Sequence, residues 1–384
     1  MKDNRRNFIK KGAALAALAA SGGGLANAAQ PLPSAKAQQR LSETVQDAGM
    51  EMSEAYFWGP DERRVTLAKQ LNVFGAVAGV NPRVAGLENA VPWHYETIKA
   101  VKDAWKEKHG LNFNVVEGPP TLGSKTKLGL DGRDEEIDNF IAFMKNLKRA
   151  GIDVICYNWM PVISWARTDN ERKGRGGALM TAFNYDDVKD QPLTEYGEVS
   201  KETMWKNLEY FLRAVVPEAE KIEMKLAMHP DDPQVHNIRG ISRIMNTADN
   251  FRRMLDIVKS PYNGITMCQG NFALMGVDIP ALIREFGKRD VIHFVHFRNV
   301  QDLSGVLPST HFVETFHDEG MIDMYDAMQA YYDIGFRGPI RPDHVPTMAG
   351  DSNDHPGYST IGAQFAFGYM RGLMTGVAKN GRKA

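Results

Sequence analysis

Short apolar runs alternate along most of this chain with longer segments in which apolar residues recur every three or four positions. Eight runs read as strands: 56–58, 73–78, 113–117, 154–158, 225–229, 265–268, 292–297 and 339–341. Between them, residues 135–148, 210–221, 247–259, 279–286 and 322–332 carry helical spacing, with Thr247 and Asp323 where N-caps belong. Eight strands alternating with helices predict a (β/α)8 TIM barrel. A doubly wound sheet is the competing arrangement, but no G-x-G-x-x-G opens a helix after a strand.

The remaining polar stretches place the chemistry. Long excursions at 79–93, 119–134, 161–197 and 301–320 all follow predicted strands, so all four face the rim where barrel enzymes work. The third, rich in Gly, Asp and Arg, is expected to lie over that rim like a lid, and the fourth carries His311 and His317.

His229, Cys268, His296 and Asp343 each stand at or just past the C-terminal end of a strand run, roughly one barrel repeat apart. Strand ends on one rim converge, so these four residues are expected to share one divalent ion. Thiolate favours Zn²⁺ or Fe²⁺, whereas imidazole with carboxylate admits Mn²⁺. His293 and His296, three apart, fall on opposite faces of one strand, so only one looks inward, and His296 lies nearer the rim. Asp231 and Asp232 follow His229 and can support it from behind. Glu117, Asn158, Arg167 and Arg298 stand at or near strand ends, placed to bind a sugar's hydroxyls and carboxylate.

Composition and charge add a location. Arg5 and Arg6 sit in a twin-arginine-like motif, an Ala-rich run to Ala20 follows, and Ala26-Asn27-Ala28 fits a small-residue cleavage site. Residues 1–28 are therefore expected to be a signal read by the twin-arginine export machinery. Residues 29–50 follow as a flexible arm, and 51–384 form a single barrel in the periplasm. The apolar run is shorter than the roughly 20 residues of a membrane span. The chain carries a net charge of −1, and removing the basic leader makes it more acidic. That excludes nucleic acid as a favoured partner. Two cysteines are too few for a disulfide framework. Nothing fixes the oligomeric state, and a homo-oligomer is compatible with the sequence.

Several stretches together resemble the mannonate dehydratases of hexuronate catabolism. They are Trp58-Gly59-Pro60, Cys156-Tyr157-Asn158-Trp159-Met160-Pro161-Val162, Trp165-Ala166-Arg167-Thr168 and Met228-His229-Pro230-Asp231-Asp232-Pro233. His293-Phe294-Val295-His296-Phe297-Arg298-Asn299-Val300, Arg341-Pro342-Asp343-His344 and Pro356-Gly357-Tyr358 complete the likeness, which covers about residues 56–375. The resemblance implies a xylose-isomerase-like barrel that dehydrates D-mannonate to 2-keto-3-deoxy-D-gluconate with Mn²⁺ or Fe²⁺. It implies His229, Cys268, His296 and Asp343 as ligands and His344 and Tyr358 as proton-transfer residues.

The chain departs from the family where substrate would sit. Ala78-Gly79-Val80-Asn81-Pro82-Arg83 replaces a His-His pair and short turn. Gly118-Pro119-Pro120-Thr121 and an added Gly/Lys-rich stretch replace a Val-Pro and histidine; Val345 and Gln269 stand for a glycine and a threonine. A metal-dependent isomerase, epimerase or lyase on another sugar derivative is thus an alternative, as is a sugar-binding barrel without catalysis.

Overall fold

A computed structural model describes residues 48–381 of the chain. The expected export signal, and all of the arm before Ala48, lie outside the described residues. The arm's end is a correction, because Ala48 and Met50 are buried in the core rather than loose.

Eight parallel strands close into a barrel. They are β1 (Glu51–Ala55), β2 (Gly75–Ala78), β3 (Asn112–Glu117), β4 (Val154–Asn158), β5 (Lys225–His229), β6 (Asn263–Cys268), β7 (Ile292–His296) and β8 (Pro339–Arg341). Each pairs with its successor in the chain, and β8 pairs with β1 to complete the ring. Helices cover the outside, among them Arg133–Arg149, Lys201–Lys221 and Thr360–Gly381. Thr247 and Asp323 cap their helices by accepting backbone N–H groups, as their positions predict. No helix of the described residues is long and apolar enough to cross a membrane.

The first strand is displaced from its expected place at 56–58. β1 reads Glu-Met-Ser-Glu-Ala, and its Ser53 and Glu54 are buried, so it carries no apolar run. Glu54 is tolerated inside because Arg64 pairs with it at 2.8 Å and the Ala55 N–H donates to it. The aromatic residues 56–58 instead continue past the strand toward the rim, where Phe57 meets Tyr358 edge-on at 5.6 Å.

The two-residue period of the strands does two jobs. Val77, Val115, Val154, Cys156, Ala227 and Phe294 form a separate apolar cluster of their own within the barrel. Two residues further along β3, β4, β5 and β7, the same inward face presents Glu117, Asn158, His229 and His296. The alternate residues Val116, Ile155, Met228 and Val295 join the larger core against the helices. The barrel's filling therefore grades into a polar layer at one rim.

The excursion at 161–197 is not a plain loop. Asp169–Lys173 and Leu179–Asn184 pair antiparallel, and Leu179–Asn184 also pairs with His311–Glu314, which pairs with Val300–Asp302. Insertions after β4 and after β7 thus make one four-stranded sheet. Long-range pairing between two inserts leaves no local periodicity, which is why the sequence pattern suggests only loops.

Candidate active site

The four expected ligands converge at the C-terminal rim. His229 ends β5, Cys268 ends β6, His296 ends β7, and Asp343 lies two residues beyond β8. Parallel registry sets Cys268 beside His296 and His296 beside Arg341. His229 Nε2 is 3.1 Å from His296 Nδ1, and ligand atoms of His229, Cys268 and His296 all lie within 4.8 Å of one another. Asp343 joins them with Oδ1 3.5 Å from His296 Nδ1 and Oδ2 3.6 Å from Cys268 Sγ. Its backbone is left-handed at φ 69°, a strained conformation held by the surrounding contacts.

The donor set fits a divalent ion. Burial, then the neighbouring His296, pushes the His229 imidazole down to about 4, and burial also lowers His296, so both rings are neutral and able to ligate. His229 Nδ1 donates to the Pro230 carbonyl at 2.7 Å, which turns the Nε2 lone pair inward. Behind His296, the buried Glu117 Oε2 has no hydrogen-bond partner among the described residues and lies 3.6 Å from Nε2. A carboxylate waiting behind an imidazole is the arrangement that orients a metal-bound histidine. Burial pushes the Cys268 thiol well above its usual range, with Arg298 opposing, and its Sγ–H donates to Asn271 Oδ1 at 2.8 Å. Burial would raise the Asp343 carboxyl too, but His344, Arg341, His296 and Arg298 outweigh it and hold the group well below its usual range.

His344 and Tyr358 stand beside this cluster. His344 Nε2 is 3.0 Å from the Tyr358 hydroxyl, and its Nδ1 lies 2.7 Å from Glu314 Oε1 and 2.8 Å from Arg298 Nη1. Nδ1 thus faces both an acceptor and a donor, so either tautomer of the ring finds partners. Gly357, at φ 83°, brings the loop back so that Tyr358 reaches the ring.

The four expected substrate contacts divide. Glu117 and Asn158 line a cavity of about 120 Å³ together with Trp165, His229, Arg341, Asp343, His344 and Tyr358. Arg167 and Arg298 sit behind it with buried side chains. Arg167 pairs with Asp232 at 2.6 Å and with Glu314, and Arg298 with Asp232 at 2.9 Å and Asp343 at 3.3 Å. Their guanidinium groups hold the carboxylates of the site in place. His293 turns away, as expected, with its ring against the carbonyls of Leu226 and Pro261. A larger cavity of about 700 Å³ opens at the other mouth, among strand starts such as Asn112 and Lys225, far along the strands from every ligand-type residue just described.

Two residues escape sequence reasoning. Glu314 arrives on the strand His311–Glu314 of the inserted sheet, where Thr181 also donates to it at 2.6 Å. Arg341 bridges Glu117 at 2.9 Å and Asp343 at 2.8 Å, and its Nε–H donates to His296 Nε2 at 3.0 Å. Only its place beside Pro342-Asp343-His344 signals it.

Comparisons with known proteins identify the family. The D-mannonate dehydratase (UxuA) family profile matches residues 50–195 and 187–384. A mannonate dehydratase of Thermotoga maritima is 33% identical over 362 residues, covering 85% of this chain and 98% of its own. The crystal structure of mannonate dehydratase from Streptococcus suis serotype 2 superposes with a TM-score of 0.76 at 31% identity, covering 87% of this chain and 95% of that one. A xylose isomerase domain protein from Planctomyces limnophilus, at 12% identity and TM-score 0.53, shares the fold alone. By both sequence and structure, this chain belongs to the mannonate dehydratase family of hydro-lyases.

Proposed function

We propose that this protein removes water from D-mannonate or a closely similar hexonate to give a 2-keto-3-deoxy acid, using one divalent ion held by His229, Cys268, His296 and Asp343. The observation that carries the proposal is the hydrogen-bonded His344–Tyr358 pair, which shares one rim cavity with His229 and Asp343.

The difficulty of the reaction is removal of a weakly acidic proton α to a carboxylate. A bound Mn²⁺ or Fe²⁺, or Zn²⁺ in their place, would supply Lewis-acid stabilisation of the negative charge that develops there. The protein supplies the proton traffic. Burial pushes the Tyr358 phenol far above its usual range, against the pull of Arg341, so Tyr358 holds its proton and suits the general acid that protonates the departing 3-hydroxyl. His344, with Tyr358 at one ring nitrogen and Glu314 behind the other, suits the base that takes the C2 proton. Glu314 then balances the imidazolium charge. Glu117 and Asn158 line the wall where the substrate's hydroxyls would lie.

Export to the periplasm belongs to the same proposal and rests on the twin-arginine-like N-terminus alone. Folding around the ion before export would avoid competition from periplasmic copper and zinc. Assay of the metal-loaded protein against a hexonate panel tests the reaction. A 2-keto-3-deoxy product that disappears with chelator is the expected result, and product formation undiminished by chelation sinks the metal role.

A further inference from the structure

Lys127 lies in the Gly/Lys-rich stretch after β3, on the short helix Ser124–Leu128 that ends at Gly129 with φ 70°. A side chain at Gly129 would strike Asn207, so only glycine fits this turn. The residue is buried, and its ammonium group forms no ion pair among the described residues. Its ammonium donates a hydrogen bond from Nζ to Asn158 Oδ1 at 3.1 Å. Burial pushes the ammonium down to about 8, with Glu136 and Asp231 opposing, so it remains charged at neutral pH.

Asn158 Oδ1 accepts a second hydrogen bond, from the Met160 N–H at 3.1 Å. An ammonium and a backbone N–H are both donors that cannot accept, so the oxygen of the Asn158 amide must face them. The amide nitrogen is thereby turned the other way. It has no protein partner among the described residues, and Asn158 lines the rim cavity beside His229, its registry partner on β5.

We propose that Lys127 is a positioning residue that locks the Asn158 amide with its two hydrogens toward the substrate, so that this site binds the hydroxyl oxygens of a sugar acid through a fixed donor pair. The proposal rests on the dehydratase reading for its substrate. It assigns a purpose to a stretch in which this chain departs from the family pattern.

The test compares Lys127→Met, Lys127→Arg, Asn158→Ala and the double variant Lys127→Met/Asn158→Ala, all metal-loaded. Lys127→Met should raise KM for D-mannonate about tenfold while kcat stays within about threefold, and Lys127→Arg, which still donates, should restore most of the loss. The double variant should bind no worse than Asn158→Ala, because Lys127 acts through that amide. An equal further loss in the Asn158→Ala background, or an unchanged KM in Lys127→Met, overturns the proposal. Should Lys127→Met fail to fold, Asn158→Asp decides. It keeps the volume and can pair with Lys127 but removes the donors, so wild-type KM in that variant also overturns the proposal. Calorimetry with Tyr358→Phe protein separates the two readings. Binding of D-mannonate without turnover by the wild type counts against dehydration alone, and the same Lys127 and Asn158 comparison is then read from affinity. No binding by that protein overturns the role of Lys127.

Discussion

Glu117 Oε2 and His296 Nε2 face each other at 3.6 Å, and the carboxylate oxygen has no other partner among the described residues. The other oxygen of Glu117 is taken by Arg341, which, with burial opposed, holds the carboxyl down at about 2 and keeps it charged. Nε2 now accepts from the Arg341 Nε–H at 3.0 Å; an imidazole that gives Nδ1 to a metal must instead carry its proton on Nε2, and Glu117 is then the acceptor within reach. Glu117→Gln should therefore fold and weaken metal affinity by about 10- to 100-fold, read by competition with a chelator. Wild-type affinity in the variant would remove Glu117 from this role.

The ligands themselves are tested by deletion. Purified protein should carry close to one divalent ion per chain, and His229→Ala or Asp343→Ala should abolish tight binding by elemental analysis. Asp343→Ala should also unfold earlier on heating, since Arg341 and Arg298 each lose a buried carboxylate partner, a loss that costs about 3–5 kcal/mol for a broken buried pair. Full metal content in both variants sinks the constellation.

Tyr358→Phe removes one hydroxyl and little volume. Turnover should fall by about 10²-fold or more with metal content unchanged. His344→Asn should lose turnover comparably. Exchange of the C2 proton with deuterated solvent then separates the roles, with the base variant losing exchange and the acid variant retaining it. Near-normal turnover by Tyr358→Phe would show that its hydroxyl is a spectator.

Histidine 293 makes a prediction about pH and stability. Burial, against the Leu226 and Pro261 carbonyls, pushes its ring from 6.5 to about 4. Between those values the unfolded chain takes up a proton that the folded ring refuses. Stability should thus be full above pH 6.5 and fall as the pH drops toward 4, by up to about 1.4 kcal/mol per pH unit for this group. Denaturant titrations of wild type and His293→Gln should differ in that slope by one proton. The opposite difference would mean that the two carbonyls, and not burial, decide the ring's charge.

For export, Arg5→Lys together with Arg6→Lys should leave uncleaved precursor in the cytoplasm, read by fractionation and mass. Mature protein in the periplasm from the double variant would dismiss the twin-arginine reading.

The barrel was legible because its strands are short apolar runs whose inward residues repeat every second position; three of them, Val154–Asn158, Lys225–His229 and Pro339–Arg341, have the bounds expected from sequence. The rim residues were legible for the same reason, since each ends such a run. β1 was hidden by Ser53 and Glu54, the second buried against a partner ten residues away at Arg64. Glu314 was hidden more deeply, because the strand that brings it to His344 is defined by pairing with residues more than a hundred positions earlier. Lys127 stood out in no way from the sequence, since nothing in a Gly/Lys-rich stretch signals that one of its lysines is buried.

The sheet shared by the two insertions ties their histories together. His311–Glu314 is fixed in register by Leu179–Asn184 on one side and Val300–Asp302 on the other. A one-residue slip would turn Glu314 to the opposite face and away from His344. Neither insertion can therefore be lengthened, shortened or exchanged with a homologue's by itself. A graft meant to change the substrate has to carry both pieces, and loop shuffling that treats them as separate modules should return folded barrels with a misaligned proton relay.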